Sequence, residues 1–179
     1  MQETPPSDAA SSQPLRLKIG ALVLAVLLGL GAVGYIALPS SKSAPDVTFV
    51  NLQGTRIPLS SLRGKVVMVN FWATSCATCV KEMPQMVATY NQFKAKGLDF
   101  VAVAMSDDPP NYVLNYAQTR QLPFTVALDP QSTLAKAFGD VKMTPTTFLI
   151  DKQGKIIKRF LGEPDFIALH QLLETALAA

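Results

Sequence analysis

Apolar positions fall along this chain in three rhythms. From Ile19 to Leu38 they form a run of 20 residues without a charge or a strongly polar side chain. At about 1.5 Å per residue, a helix of that length is about 30 Å long, the thickness of a bilayer's hydrocarbon core. Its four glycines (Gly20, Gly29, Gly31, Gly34) would weaken a helix in water but are common in membrane helices. The pattern predicts one transmembrane anchor over 19–38. Arg16 and Lys18 precede it and Lys42 is the only cation close behind. The positive-inside rule then places residues 1–18 in the cytoplasm as a Ser-, Pro- and Ala-rich tail, and the remainder across the membrane. A cleaved signal peptide fits less well, because its apolar stretch runs about 7–15 residues and ends in a small-x-small site. Residues 39–45 (PSSKSAP) read as a short linker.

Residues 46–179 alternate between the other two rhythms. Val47–Val50 and Arg56–Leu59 flank a turn at Gln53-Gly54 and predict an N-terminal hairpin. Lys65–Trp72 and Leu98–Met105 are short apolar, β-branched runs of the kind found in buried strands. Between them, Val80, Met83, Val87, Tyr90 and Phe93 recur at helical spacing, and Gly97 supplies a helix stop. A helix from about Pro110 to Arg120 has Asp107 or Asp108 as its candidate cap. Then follow a strand at 124–128, a short helix at 132–138, strands at 146–151 and 156–161 joined by a turn at 152–155, and a last helix capped by Asp165. Strands alternating with helices predict an α/β domain: a mixed central sheet, mostly parallel, flanked by helices, with an antiparallel hairpin at one side.

Composition changes this picture little. Hydrophobic residues make up 49% and charged residues only 16%, against about 25% charge in an ordinary soluble domain; the apolar run explains the excess apolarity. A net charge of +3, spread along the chain, argues against a nucleic-acid surface. Two cysteines in 179 residues exclude a disulfide-stapled miniprotein.

Those two cysteines carry the chemistry. Cys76-Ala77-Thr78-Cys79 follows the first buried strand and opens the first long helix. This spacing brings the sulfurs within reach of a disulfide and sets the first against the free N–H groups and positive end of the helix. That environment favours thiolate, the form that attacks disulfides. An inert core pair, a zinc site completed by His170 and a copper(I) site made by the two thiolates are the competing readings. Zinc wants four ligands and only His170 remains, whereas copper(I) suits two thiolates.

Two blocks, Val69-Asn70-Phe71-Trp72-Ala73-Thr74 with Lys81-Glu82-Met83-Pro84 around the cysteines, and Met143–Asp151 with Gly154 downstream, resemble the thioredoxin superfamily. The closer resemblance is to its membrane-anchored extracytoplasmic branch, the TlpA/ResA/CcmG-like thiol:disulfide reductases of bacteria. It spans about residues 46–179 and implies a thioredoxin-like fold preceded by one transmembrane helix. It further implies that Cys76 attacks, that Cys79 resolves, and that Pro145 is a cis-proline. Thr144, Pro145 and Trp72 would contact substrate, and Glu82 would take part in proton transfer at Cys79. Asn70 stands where cytoplasmic thioredoxins carry a buried aspartate, which leaves Glu82 as the candidate proton acceptor.

The chain departs from the family pattern at Ser75, where a tryptophan is usual, and at Ala77-Thr78 between the cysteines. That pair supplies no charge to stabilise the thiolate strongly, which favours a reductant over an oxidant or isomerase. The resemblance implies a location at the bacterial inner membrane, amino terminus inside and domain in the periplasm. The substrates would be disulfides of exported proteins, with cytochrome c or oxidase maturation as candidate settings. A membrane thiol-transferring protein would supply electrons, and no cofactor is implied, because the sulfurs hold both electrons. A peroxiredoxin-like peroxidase is the remaining enzyme alternative, but Ala73 stands where that chemistry has threonine.

Overall fold

The computed structural model describes residues 42–179. The expected tail, the apolar run over 19–38 and the first part of the linker lie outside the described residues. Among those described, no helix is long and apolar enough to cross a membrane.

A small antiparallel pair, β1 (Thr48–Val50) and β2 (Arg56–Pro58), comes first. Asn51 makes its turn, its side-chain oxygen accepting from the N–H groups of Gln53 and Thr55 at 3.0 and 2.8 Å. A one-turn helix at Leu59–Leu62 follows, so Leu59 is turned inward instead of extending β2. The main elements are then β3 (Val66–Trp72), α1 (Ala77–Phe93), β4 (Leu98–Ala104), α2 (Pro110–Thr119), β5 (Thr125–Leu128), α3 (Thr133–Ala137), β6 (Thr146–Ile150), β7 (Ile156–Leu161) and α4 (Phe166–Ala178). Five strands form one sheet in the order β5-β4-β3-β6-β7. β3, β4 and β5 run parallel; β6 and β7 are antiparallel to their neighbours. This is the mixed sheet expected from the sequence, in a thioredoxin-like α/β fold.

Side chains of a strand alternate between faces, and β3 shows how this divides the core. Val66, Met68 and Trp72 face α1, α2 and α4, joining Met83, Met86, Phe93, Val113, Leu169 and Leu173. Val67, Val69 and Phe71 face the other way, onto Phe49, Leu59, Leu134 and Phe138. All seven residues of β3 are buried, so this strand is the centre of both halves. The hairpin lies along the outer strand, where Asn51 bridges to Ala127 of β5 and covers part of that edge.

Three local readings need correcting. Lys42–Ala44, expected as the end of a linker, lie against the β6–β7 turn: the Ala44 N–H donates to Gly154 at 2.9 Å and Ile156 donates to Lys42 at 2.8 Å. The open edge at the start of β7 has backbone groups to satisfy, a demand that Ser/Pro composition does not reveal. The buried face of α1 is Cys79, Glu82, Met83, Met86, Thr89 and Phe93, rotated from the apolar positions Val80, Val87 and Tyr90, which are only half-buried. Neither Asp107 nor Asp108 caps α2. Pro109 occupies that position without a side-chain cap, because Asp108 is engaged elsewhere, as described below.

Candidate active site

Both blocks singled out from the sequence meet at the carboxyl end of β3. Trp72 ends that strand and Cys76 is the N-cap of α1. Antiparallel pairing sets Phe71 opposite Thr146, so the preceding Thr144-Pro145 lies at the same end of the sheet. The Thr144–Pro145 bond is cis.

Cys76 and Cys79 form a disulfide, with Cα atoms 5.2 Å apart. Cys79 is fully buried while Cys76 is partly exposed, so a molecule approaching from solvent meets Cys76 first. The Cys76 sulfur accepts a hydrogen bond from the Cys79 N–H at 3.2 Å. In the reduced protein the same donor, with the positive helix end, stabilises a thiolate there.

Glu82 lies one turn beyond Cys79 and is 1% exposed. It is not the solvated surface residue that its position among Lys81, Pro84 and Gln85 would permit. Across the sheet interface, Asn70 donates from Nδ2 to Glu82 Oε1 at 3.2 Å and to Thr147 Oγ1 at 2.9 Å. Asn70 Oδ1 and Glu82 Oε2 have no hydrogen-bond partner among the described residues. One neutral donor and no cation do not repay the desolvation of a carboxylate. Burial therefore holds the Glu82 carboxyl up, to about 7; the Asn70 hydrogen bond opposes this and the charge of Glu163 adds to it. Such a carboxyl exchanges a proton near neutral pH, as a general base for a buried thiol must.

Trp72, expected to touch substrate, is fully buried, its ring 5.2 Å from that of Tyr116. It faces inward with Val66 and Met68 because strand alternation leaves it no surface, so it walls the site from within. Thr144 is partly exposed beside the buried Pro145. Exposed Met143 and Leu161 flank this loop, Leu161 by its pairing with Thr146.

Two residues of the site escaped the sequence reading. Thr147 pairs in register with Asn70, and the signal for it was the lone polar residue of β3 together with the threonine pair that opens β6. Asp108 reaches Thr74 from 34 residues away, and no local pattern announces it. His170, by contrast, takes no part: it hydrogen-bonds Thr89 at 2.8 Å and packs on Phe93. Among the described residues no three His, Cys, Asp or Glu side chains stand together as a metal site.

Comparison with known proteins agrees with this geometry. The Redoxin family model matches residues 39–173. A thiol-disulfide oxidoreductase ResA of Bacillus thuringiensis subsp. konkukian is 35% identical over 162 residues, covering 85% of this chain and 92% of that protein. A Neisseria meningitidis protein assigned to the thioredoxins, solved in solution, superposes with a TM-score of 0.71 at 42% identity, over 76% of this chain and 91% of that one. The crystal structure of a thioredoxin-family thiol:disulfide interchange protein from Chlorobium tepidum gives 0.71 at 29% identity, over 79% and 99%.

Proposed function

The chain belongs to the Redoxin family, as a TlpA/ResA/CcmG-like thiol:disulfide oxidoreductase of the thioredoxin superfamily, and from that premise we propose that it reduces disulfides of exported proteins while anchored at the outer face of the bacterial inner membrane. The observation that carries the catalytic part is the asymmetry of the pair: one partly exposed sulfur at a helix N-terminus, one buried sulfur, and a buried carboxyl a turn behind the second.

In this reading the Cys76 thiolate attacks one sulfur of a substrate disulfide. A Cys76–substrate bond forms and a substrate thiolate leaves. Cys79 then passes its proton to Glu82 and attacks the Cys76 sulfur, releasing the second substrate thiol. The substrate gains two electrons and the enzyme is left as the Cys76–Cys79 disulfide. Thr144 and Pro145, on the rim at the same end of the sheet, hold an extended segment of the substrate. A thiol-transferring membrane protein returns the electrons, and the apolar run over 19–38 keeps the domain near that donor. Maturation of c-type cytochromes or of an oxidase fits a reductant held there.

Membranes from cells producing Cys79→Ser test this directly. That variant is expected to accumulate mixed disulfides through Cys76 with exported proteins, while impermeant thiol reagents reach the domain only from outside the cytoplasmic membrane. A redox equilibrium with glutathione near the strongly oxidising end would reverse the direction. Metal uptake without adducts would favour copper(I) binding instead.

A further inference from the structure

Asp108 is 5% exposed, and no cation pairs with it among the described residues. A buried carboxylate needs strong donors, and both of its donors come from one residue. The Thr74 N–H donates to Oδ2 at 2.6 Å and the Thr74 hydroxyl to Oδ1 at 2.6 Å. Short bonds to an ionised acceptor are among the strongest in proteins. Asp108 is itself fixed, its N–H closing a turn onto Met105 at 3.1 Å, while Met105 donates to the Trp72 carbonyl at 3.0 Å. The segment between β4 and α2 thus grips the end of β3 at two points, Trp72 and Thr74.

Directly after those points comes Cys76, whose N–H donates to Ala73 at 3.2 Å. The turn holding the Cys76 sulfur against the Cys79 N–H is therefore clamped by a charged group at Thr74 and, among the described residues, at no other point. We propose that Asp108 is a positioning residue for the nucleophile: by taking both donors of Thr74 it fixes the turn that presents Cys76 at the helix N-terminus. This rests on the reading of Cys76 as the attacking thiol. Other charged groups at this end are Asp107 beside Asp108, Asp129 after β5, Glu82 on α1 and the Lys81–Glu163 pair, joined at 2.8 Å; among the described residues, none of them hydrogen-bonds the turn.

Position and charge make opposite predictions. If Asp108 acted on Cys76 only through its field, removing it would ease ionisation and lower the pH at which Cys76 becomes reactive. If it acts by position, losing it frees the sulfur from its donor and raises that pH. The test is the alkylation rate of Cys76 against pH in the reduced full-length protein, in the wild type and in Thr74→Val, Thr74→Ser, Asp108→Ala and the Val/Ala double variant. Thr74→Val and Asp108→Ala should each slow alkylation at pH 7 about fivefold, the scale of one lost hydrogen bond, and raise the midpoint. The double variant should add little, and Thr74→Ser should restore wild-type behaviour. A lowered midpoint in Asp108→Ala, or an unchanged profile in Thr74→Val, overturns the inference. If instead Cys79 is the faster thiol in the wild type, the reading beneath it fails first. Thr74→Val keeps the Asp108 carboxylate and its backbone donor, and Thr74→Ser keeps both donors, so the answer survives even if Asp108→Ala unfolds.

Discussion

Removing the Glu82 carboxyl while keeping its shape isolates the effect of burial on this group. Burial holds this group at about 7, against a usual carboxyl value of 4.5. At 1.36 kcal/mol per pH unit, the charged form therefore costs the fold about 3 kcal/mol. The unfolded chain releases the proton as pH rises through 4.5, whereas the folded protein keeps it until about 7. Stability is thus highest below pH 4.5 with respect to this group, falls as pH climbs to about 7, and is level above that. Glu82→Gln keeps the acceptor for Asn70 and abolishes the titration. Urea unfolding of the oxidised protein, followed through Trp72, reports this cleanly: Trp72 is the only tryptophan of the chain and is fully buried. Keeping the disulfide closed removes the cysteines from the titration. Relative to wild type, Glu82→Gln should gain about 3 kcal/mol between pH 4 and pH 8. Parallel pH profiles for the two proteins would refute the argument that burial governs this carboxyl.

Two further perturbations follow from the same structure. Asn70→Asp places a second carboxyl against Glu82 Oε1, where the amide now donates at 3.2 Å; two such groups do not both ionise readily, so the variant should lose more stability at pH 8 than at pH 5, by at least about 1.4 kcal/mol, in the same unfolding assay. Asp129 is buried and accepts from Leu134 N, Ala135 N and Thr133 Oγ1 at 3.1, 2.8 and 3.2 Å, closing the start of α3. Asp129→Ala orphans these donors and should destabilise the protein by about 2–4 kcal/mol without changing the reactivity of Cys76.

The alternation of apolar runs and helical spacing was enough to read the order of elements from 46 onward, because β3, β4 and β6 bury nearly every residue and the first long helical stretch has a recognisable stop at Gly97, in the left-handed region at φ 105°. The cysteine pair was legible for a similar reason: its spacing and its place after β3 are both local. What stayed hidden depends on contacts across the fold. The rotation of α1 that buries Glu82 is set by packing on β3 and α4, not by its own apolar spacing. Asp108 reads as a helix cap until Thr74, 34 residues earlier, is brought beside it. Trp72, which the resemblance puts against substrate, lies at the end of a buried strand and is turned inward.

The central claim is that Cys76 begins the exchange and Cys79 completes it. Mixing the reduced protein with an excess of a chromogenic aromatic disulfide tests this in one measurement of released thiol. The wild type should release two equivalents and end as the internal disulfide. Cys79→Ser should release one and remain joined to the reagent through Cys76, while Cys76→Ser should react slowly or not at all. A Cys76→Ser protein that reacts as fast as Cys79→Ser would contradict the account.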